Sequence, residues 1–528
     1  MGAPTPPDAA LELARAVSSG DPDAVADVAT RHIWPLFDRH YVQLTDAVRA
    51  LPGRVLAQHP VLQLVHPLAP VLARSNEPFD AGRFAEMMRS RPEAEIDVLT
   101  MMQVISARMS GDIAGAMVYA GRLANRITRI HLVPAELAGQ PIWMLHHQVG
   151  STMLMAGHTR AALSHFATAR QIGELTGSDD AVRSSLGRAA LASAIRGSLD
   201  DADHALRSAA ALPPASAAYQ GAARGTEAVA AALVAVERQD AGAGSLVAQL
   251  EALDVADVVW PFLLLARGRL ALSSLRPLDA LEAVATTKSS HRVQIGSFAA
   301  DAVTALTAEA HLALGDLPAA RRAVDAGSSP GWLTLLARVR TAIHEGDLTH
   351  ARSDARGLQE REGISPAHRV ELLVLSAWAD VLDGRELDAA LAVRIARIVA
   401  GGEGRRIIAS VPETVSTRVA QQLSKTEKGA FLSSLTGLVF PPQMPVRAAL
   451  TPAELRVLRA IGEHTTASAV AAALHVSPNT VKSQLRSLYR KLGVATRADA
   501  IIEGSRLHLV RPDDRTHTGD DTSDRSAL

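Results

Sequence analysis

The side chains best placed to do chemistry lie between Asn479 and Arg490. Asn479, Lys482, Ser483, Arg486, Ser487 and Arg490 recur at three- and four-residue intervals, which puts them on one face of an α-helix. That arc is polar and basic and carries no carboxylate. At about 100° per residue, Val481, Leu485, Leu488 and Leu492 fall together on the other side as a buried stripe. Lys482 and Arg486, four apart, can reach together into a DNA major groove, where Arg pairs bidentately with guanine O6 and N7. Ser483 is short enough to let the helix approach base edges. Thr480, Tyr489, Arg490, Lys491 and, at the start of the next helix, Arg497 are candidates for phosphate contacts, which position a protein without specifying sequence. On an arbitrary helix such a face is only a solvated surface, so a second signal is required.

Other chemistries are poorly supplied. The chain has no cysteine, which removes disulfides, thiolate nucleophiles and Cys-based zinc or iron–sulfur sites. His344–Glu345 is followed by Leu348 where an HExxH helix needs its second histidine. His146–His147 sits in a helical run and reads as packed or solvated, and Trp34, Trp143, Trp260, Trp332 and Trp378 read as core. None of the five lysines, Lys288, Lys425, Lys428, Lys482 and Lys491, has the glycine before it that a phosphate-cradling loop requires. Residues 1–287 contain no lysine, which argues against a phosphorylated receiver domain there. No catalytic residue, metal site or cofactor is expected, and the chain is not expected to be an enzyme.

The helices that would carry the basic face announce themselves by their start signals. In Leu450–Thr451–Pro452–Ala453–Glu454–Leu455, Thr is an N-cap, Pro occupies the first helical position and Glu sits at N3. This is a capping box, with Leu450 and Leu455 spaced as its staple. A second helix is predicted from near Thr466 to Leu474. A third begins at Ser477–Pro478–Asn479–Thr480, with Val476 and Val481 as its staple, and stops where Gly493 can adopt the left-handed conformation. A fourth starts at Thr496 with Asp499 at N3. Only His475 and Val476 separate helices two and three, the short turn of a helix-turn-helix.

These residues provide the second signal. Leu450-Thr451-Pro452-x-Glu454-x-x-Val457-Leu458 is followed by Val470-Ala471-x-x-Leu474-x-Val476-Ser477-Pro478-Asn479-Thr480-Val481-Lys482. Leu488-Tyr489-x-Lys491-Leu492-Gly493-Val494-x-x-Arg497-x-x-Ala500 completes the run. It resembles the LuxR-type helix-turn-helix over its whole length. The resemblance implies a four-helix DNA-binding domain whose third helix recognises DNA, with base contacts at Lys482, Ser483 and Arg486. It also implies a homodimer on inverted half-sites of double-stranded DNA, with RNA polymerase a further candidate partner. Gln484, Ala469 and Arg456 depart from the residues common in the family, which bears on sequence preference.

Upstream, alanine, leucine and arginine dominate, and they favour helices. The fold class expected is all-α: a tetratricopeptide-like α-solenoid followed by the four-helix domain. A glycine followed five residues later by alanine recurs as Gly111/Ala116, Gly157/Ala162, Gly197/Ala202, Gly315/Ala320, Gly346/Ala351 and Gly384/Ala389. Copies without that pattern fit at Leu275/Ala280 and Gln239/Gly244, giving steps of 31 to 46 residues. Helical hairpins of this size bury their apolar faces only by stacking; an irregular alanine-rich helical domain is the alternative. The expected layout is a helical region at 1–95, helical repeats at 96–400, a helical and Pro-rich connector at 401–448, the DNA-binding domain at 449–510 and a disordered tail at 511–528. With no P-loop, the upstream part is similar to the helical-repeat portion of large ATP-binding LuxR-type regulators, and an unidentified protein, peptide or small-molecule effector is expected to act on the repeats.

Charge agrees with this division. Residues 450–510 carry eight basic against four acidic side chains, a local +4, while the whole chain is at −1. The 49 arginines against five lysines, with abundant alanine, resemble the coding bias of a high-G+C bacterium. Met1–Pro7 lacks a basic and apolar leader, and Val258–Ala266 is far shorter than the roughly 20 apolar residues of a membrane span. A cytoplasmic, membrane-free protein is expected. A repeat scaffold with a decayed helix-turn-helix stands as the alternative function.

Overall fold

The computed structural model describes residues 9–59, 61–62, 93–128, 142–250, 258–326, 330–442, 450–492, 494 and 496–506. Among them every regular element is a helix. Part of the Pro-rich connector, the turn at Gly493 and the tail at 511–528 lie outside the described residues. No described helix is long and apolar enough to cross a membrane.

Among the described residues, five short helices come first, from Ala9–Ser19 to Gly53–Leu56. The first two are separated at Gly20–Asp21–Pro22, where Asp21 accepts a hydrogen bond from the Asp23 N–H and Pro22 begins the next helix. Leu13, Val25, Leu36, Leu44 and Val48 form a core of their own.

Eight helical hairpins follow among the described residues: Glu93–Met109 with Ile113–Ile127, Ile142–Met155 with Thr159–Thr176, Asp179–Arg196 with Leu199–Ala210, and Gln220–Arg238 with Ala243–Gln249. They continue as Trp260–Ser273 with Pro277–Ser290, Phe298–Ala313 with Leu317–Asp325, Trp332–Glu345 with Leu348–Gln359, and Pro366–Leu382 with Ala389–Ala400. The first helix of each hairpin packs on the first helix of the next, so one continuous row of helices runs along the stack. Every hairpin turn holds one left-handed residue: Gly111, Gly157, Gly197, Gln239, Leu275, Gly315, Gly346 and Gly384, with φ from 55° to 83°. In three turns the next residue is an aspartate that caps the second helix, as where Asp112 accepts from Gly115 N–H at 2.9 Å and Asp316 and Asp347 do likewise.

Five residues beyond the left-handed position, Ala116, Ala162, Ala202, Ala280, Ala320 and Ala351 are buried. The rule fails twice. Gly244 and Ala389 are exposed, and Ala243 and Ala392 take the inward position instead. At Gly384 the linker is longer, so the helix starts only at Ala389 and its inward face arrives one turn later. Close approach within a hairpin is visible at Gly150, where an added Cβ would lie 2.8 Å from the Phe166 ring. Phe166 itself is fully buried, worth about 2–3 kcal/mol of hydrophobic stabilisation.

The stack curls until its last hairpin meets the third. Glu237, Arg269, Glu309, Arg340 and Glu371 come from the first helices of five successive hairpins, an alternating ladder of charge. Arg406, from the short Arg405–Ala409 helix, closes the ladder into a ring. It pairs with Glu237 at 2.9 Å and with Glu371 at 3.9 Å. Arg269–Glu237 at 2.6 Å and Arg340–Glu371 at 3.1 Å complete the pairing. Burial opposes ionisation of Glu237, but Arg269 and Arg406 overcome it and hold its carboxyl below the usual range. The hydrophobic core of the last hairpins also runs on past Ala400, taking in Ile408, Val415, Val419 and Phe431.

Candidate nucleic-acid interface

Four helices form the C-terminal unit: Pro452–Glu463, Ala467–Ala473, Pro478–Leu492 and Arg497–Arg506. Each begins with the side-chain cap its sequence announces. Thr451 Oγ1 accepts from Glu454 N–H at 3.2 Å, and Glu454 Oε2 accepts from Thr451 N–H at 2.7 Å, completing the capping box. Thr466 caps through Ala469 N–H, Ser477 through Thr480 N–H and Thr496 through Asp499 N–H. Val457, Leu458, Ile461, Val470, Val481, Leu488, Leu492 and Ala500 fill the core between them.

The turn between the second and third helices ends the second helix as a Schellman motif. Val476 N–H donates to Ala471 O at 3.0 Å and His475 N–H to Ala472 O at 3.3 Å. His475 takes the left-handed position at φ 55°, usually a glycine's. Val476, expected to staple onto Val481, is instead exposed. The 6→1 hydrogen bond sends its side chain outward, while Val481 is fully buried.

The third helix presents the expected face. Lys482, Ser483 and Arg486 are exposed, and none makes a hydrogen bond or ion pair among the described residues. Thr480 is exposed at the helix start, its hydroxyl 2.7 Å from Ser477 Oγ. Tyr489 is half-buried with its ring against the core, and burial raises its phenol pKa. The side chain of Arg490 lies outside the described residues. Ser477 and Asn479, also exposed beside Thr480, extend this surface, though neither was among the candidate contacts.

The structure turns the remaining two candidates inward. Lys491 Nζ donates to Glu454 Oε2 at 2.6 Å. Burial opposes ionisation of Glu454, but the Lys491 ammonium, the Thr451 N–H and Ser487 outweigh it and hold the carboxyl down at about 2. Arg497 donates from Nε and Nη2 to Ile461 O at 3.1 and 2.5 Å, and from Nη1 to Thr465 O at 2.7 Å. Ile461 O lies in the last turn of the first helix and Thr465 O just beyond its end, so the guanidinium caps the helix C-terminus. Neither pairing was legible beforehand, because the partners lie 37 and 36 residues away.

Elsewhere His146 and His147 are buried, with His146 Nδ1 3.0 Å from His165 Nδ1. Burial, and then His165, lowers the His146 pKa to about 4. No group of three or more metal-capable side chains occurs among the described residues.

Comparison with known proteins agrees with this geometry. Residues 448–503 match the family described as bacterial regulatory proteins, luxR family, and this part of the chain is a LuxR-type helix-turn-helix domain. Two curated relatives, each named "Probable transcriptional regulatory protein NarL", come from Mycobacterium tuberculosis strains CDC 1551 / Oshkosh and ATCC 25618 / H37Rv. Each is 37% identical over 81 residues, which cover 15% of this chain and 38% of the relative.

Proposed function

We propose that the chain is a sequence-specific transcriptional regulator that reads the major groove with the Pro478–Leu492 helix, and whose helical repeats respond to a signal. A LuxR-type helix-turn-helix domain supports DNA binding and transcriptional regulation. The finer reading rests on one observation: Lys482, Ser483 and Arg486 stand exposed together on a face whose opposite side is locked into the core by Val481, Leu488 and Leu492. In this proposal Lys482 and Arg486 donate to base edges, and Ser483 permits the close approach. Thr480, Tyr489 and Arg490 hold phosphates, while Lys491 and Arg497 brace the domain from within. Paired half-sites of DNA would be met by a homodimer.

The test is a pulldown of genomic fragments with purified protein at physiological salt, beside Lys482→Ala and Arg486→Ala. Enrichment of a few fragments that share an inverted repeat is expected. Each substitution should weaken the preferred site by about 1–3 kcal/mol relative to scrambled DNA. Equal discrimination by both variants and the parent would overturn the recognition-face assignment. No enrichment by the full chain or by residues 446–528 alone would favour the scaffold.

A further inference from the structure

The ring in the repeat stack is closed by contacts of a different kind from those that build the stack. Neighbouring hairpins share apolar core, one body of it running from Leu191 and Leu233 to Leu333 and Ala337, a second from Leu336 through Leu375 to Phe431. No described residue of the third and fourth hairpins belongs to the second core. Where those hairpins meet the last one and the Arg405–Ala409 helix, the seam is joined by polar contacts and by two small residues. Gly197 faces Ala367. Arg406 Nε donates to both oxygens of Glu237 at 2.9 Å, and Arg405 Nε donates to Arg238 O at 2.8 Å.

Such a seam opens at small cost. Of the ring's ion pairs among the described residues, Arg406–Glu237 crosses it. Arg269–Glu237 and Arg340–Glu371 join neighbouring hairpins, and Arg406–Glu371 lies on one side. On opening, Glu237 keeps Arg269 and Arg406 keeps Glu371, so neither charge is left buried and alone. Desolvation offsets much of the attraction in a buried pair, and opening returns that hydration. The apolar contacts between neighbouring hairpins, which stabilise the stack, are left in place. The facing walls do not interlock either. A cavity of about 310 Å³ lies between Arg269, Leu272 and Glu309 on one side and Trp378, Arg406 and Ser410 on the other, whereas a permanent core is close-packed.

The path to the DNA-binding domain crosses the same seam. Arg405 also donates from Nη1 to Ser434 O and from Nη2 to Thr436 O, the latter at 3.3 Å. One guanidinium thus reaches the fourth hairpin and holds the end of the Lys425–Ser434 helix. Pro441 and Pro442 then line the cavity, together with Leu275 and Pro277 of the fifth hairpin and Ala409 and Pro412 of the closing side. Only residues 443–449 separate Pro442 from Leu450, where the DNA-binding domain opens, a reach of at most about 30 Å. Opening of the seam therefore displaces the tether of that domain.

We propose that the closed ring is a reversible clasp. The stack flexes through small rotations between its hairpins, the seam opens at Gly197, Arg405 and Arg406, and Pro441–Pro442 carry the opening to the DNA-binding domain. The clasp deepens the signal response described above and rests on that reading for its consequence at DNA, though not for the opening itself.

The chain has no cysteine, so introduced cysteines can carry spin labels at chosen sites of the full-length protein. His204→Cys with Ser433→Cys, both exposed, places one label on each side of the seam. Ser164→Cys with His204→Cys, also exposed, keeps both on one side as a control. Pulsed electron–electron resonance should give the first pair a short distance with a minor longer one, and the control pair a single distance. Arg405→Ala removes the guanidinium, and Gly197→Ala wedges a Cβ 2.6 Å from that of Ala367. Each should raise the ratio of long to short distance about ten-fold. Gly157→Ala carries the same left-handed strain with nothing within 4 Å and should leave the ratio unchanged. Unmoved distances in both Arg405→Ala and Gly197→Ala overturn the clasp. So does a control pair that broadens together with the first, or a Gly157→Ala that shifts as far as Gly197→Ala. None of these readouts involves DNA. Opened variants that bind the enriched fragments with the parent's affinity overturn the coupling through Pro441–Pro442. Distances that shift while no form enriches DNA keep the clasp and overturn the regulator reading. Enriched DNA beside unmoved distances does the reverse.

Discussion

Glu454 and Lys491, 37 residues apart, meet at 2.6 Å and tie the first helix of the DNA-binding domain to the end of the third. Glu454 is also the N3 member of its own capping box. One carboxylate thus starts the first helix and fixes the third against it.

That double use makes the domain acid-sensitive. The folded pKa of Glu454 lies near 2, below its unfolded value of about 4.3. The stabilisation is therefore complete above about pH 5 and is lost as pH falls toward 2. Unfolding of residues 446–528 followed by circular dichroism from pH 7 to pH 3 should show a loss of about 1–2 kcal/mol that Glu454→Gln abolishes. An equal loss in both proteins would sink the assignment.

Arg497 should behave as a brace. Arg497→Ala strips the cap from Ile461 and Thr465 and should lower the domain's stability by about 1–2 kcal/mol. The slope of log affinity for DNA against log salt should stay unchanged. A direct phosphate contact would instead reduce that slope by about one, so the salt titration separates the two roles.

The left-handed turn at His475 carries a cost that glycine does not. His475→Gly should raise the melting midpoint, corresponding to about 1 kcal/mol, because the Schellman hydrogen bonds are made by the backbone and survive. His475→Val should lower it. A destabilised glycine variant would mean that the imidazole contributes more than the backbone strain removes.

Closure of the repeat stack can be isolated with two glycines. Gly157 and Gly197 both have φ near 80°, but an added Cβ meets nothing within 4 Å at Gly157 and lies 2.6 Å from the Ala367 Cβ at Gly197. Gly157→Ala should cost about 1 kcal/mol of backbone strain. Gly197→Ala should cost that and about 1–3 kcal/mol of overpacking. Chemical denaturation of both variants checks the difference, and equal losses would show that the hairpins around Gly197 and Ala367 do not bear on each other in solution.

The sequence by itself determined what local rules govern. Capping residues set the four helix starts at Thr451, Thr466, Ser477 and Thr496, and the period of Val481, Leu488 and Leu492 set which face of the third helix is buried. Six glycines marked hairpin turns, and phasing between Gly197 and Gly315 located Gln239 and Leu275, which brings every step to between 31 and 46 residues. Each of these signals acts over a handful of residues. Tertiary structure decided what depends on how far the stack curls. Small rotations between neighbouring hairpins, summed over five of them, bring Glu237 and Glu371 to the same Arg406, and no local pattern encodes that sum. The same holds for Lys491 and Arg497, whose charge type suited phosphate and internal carbonyl or carboxylate equally well. Only the packing of helices far apart in the chain placed Glu454 and Ile461 within their reach.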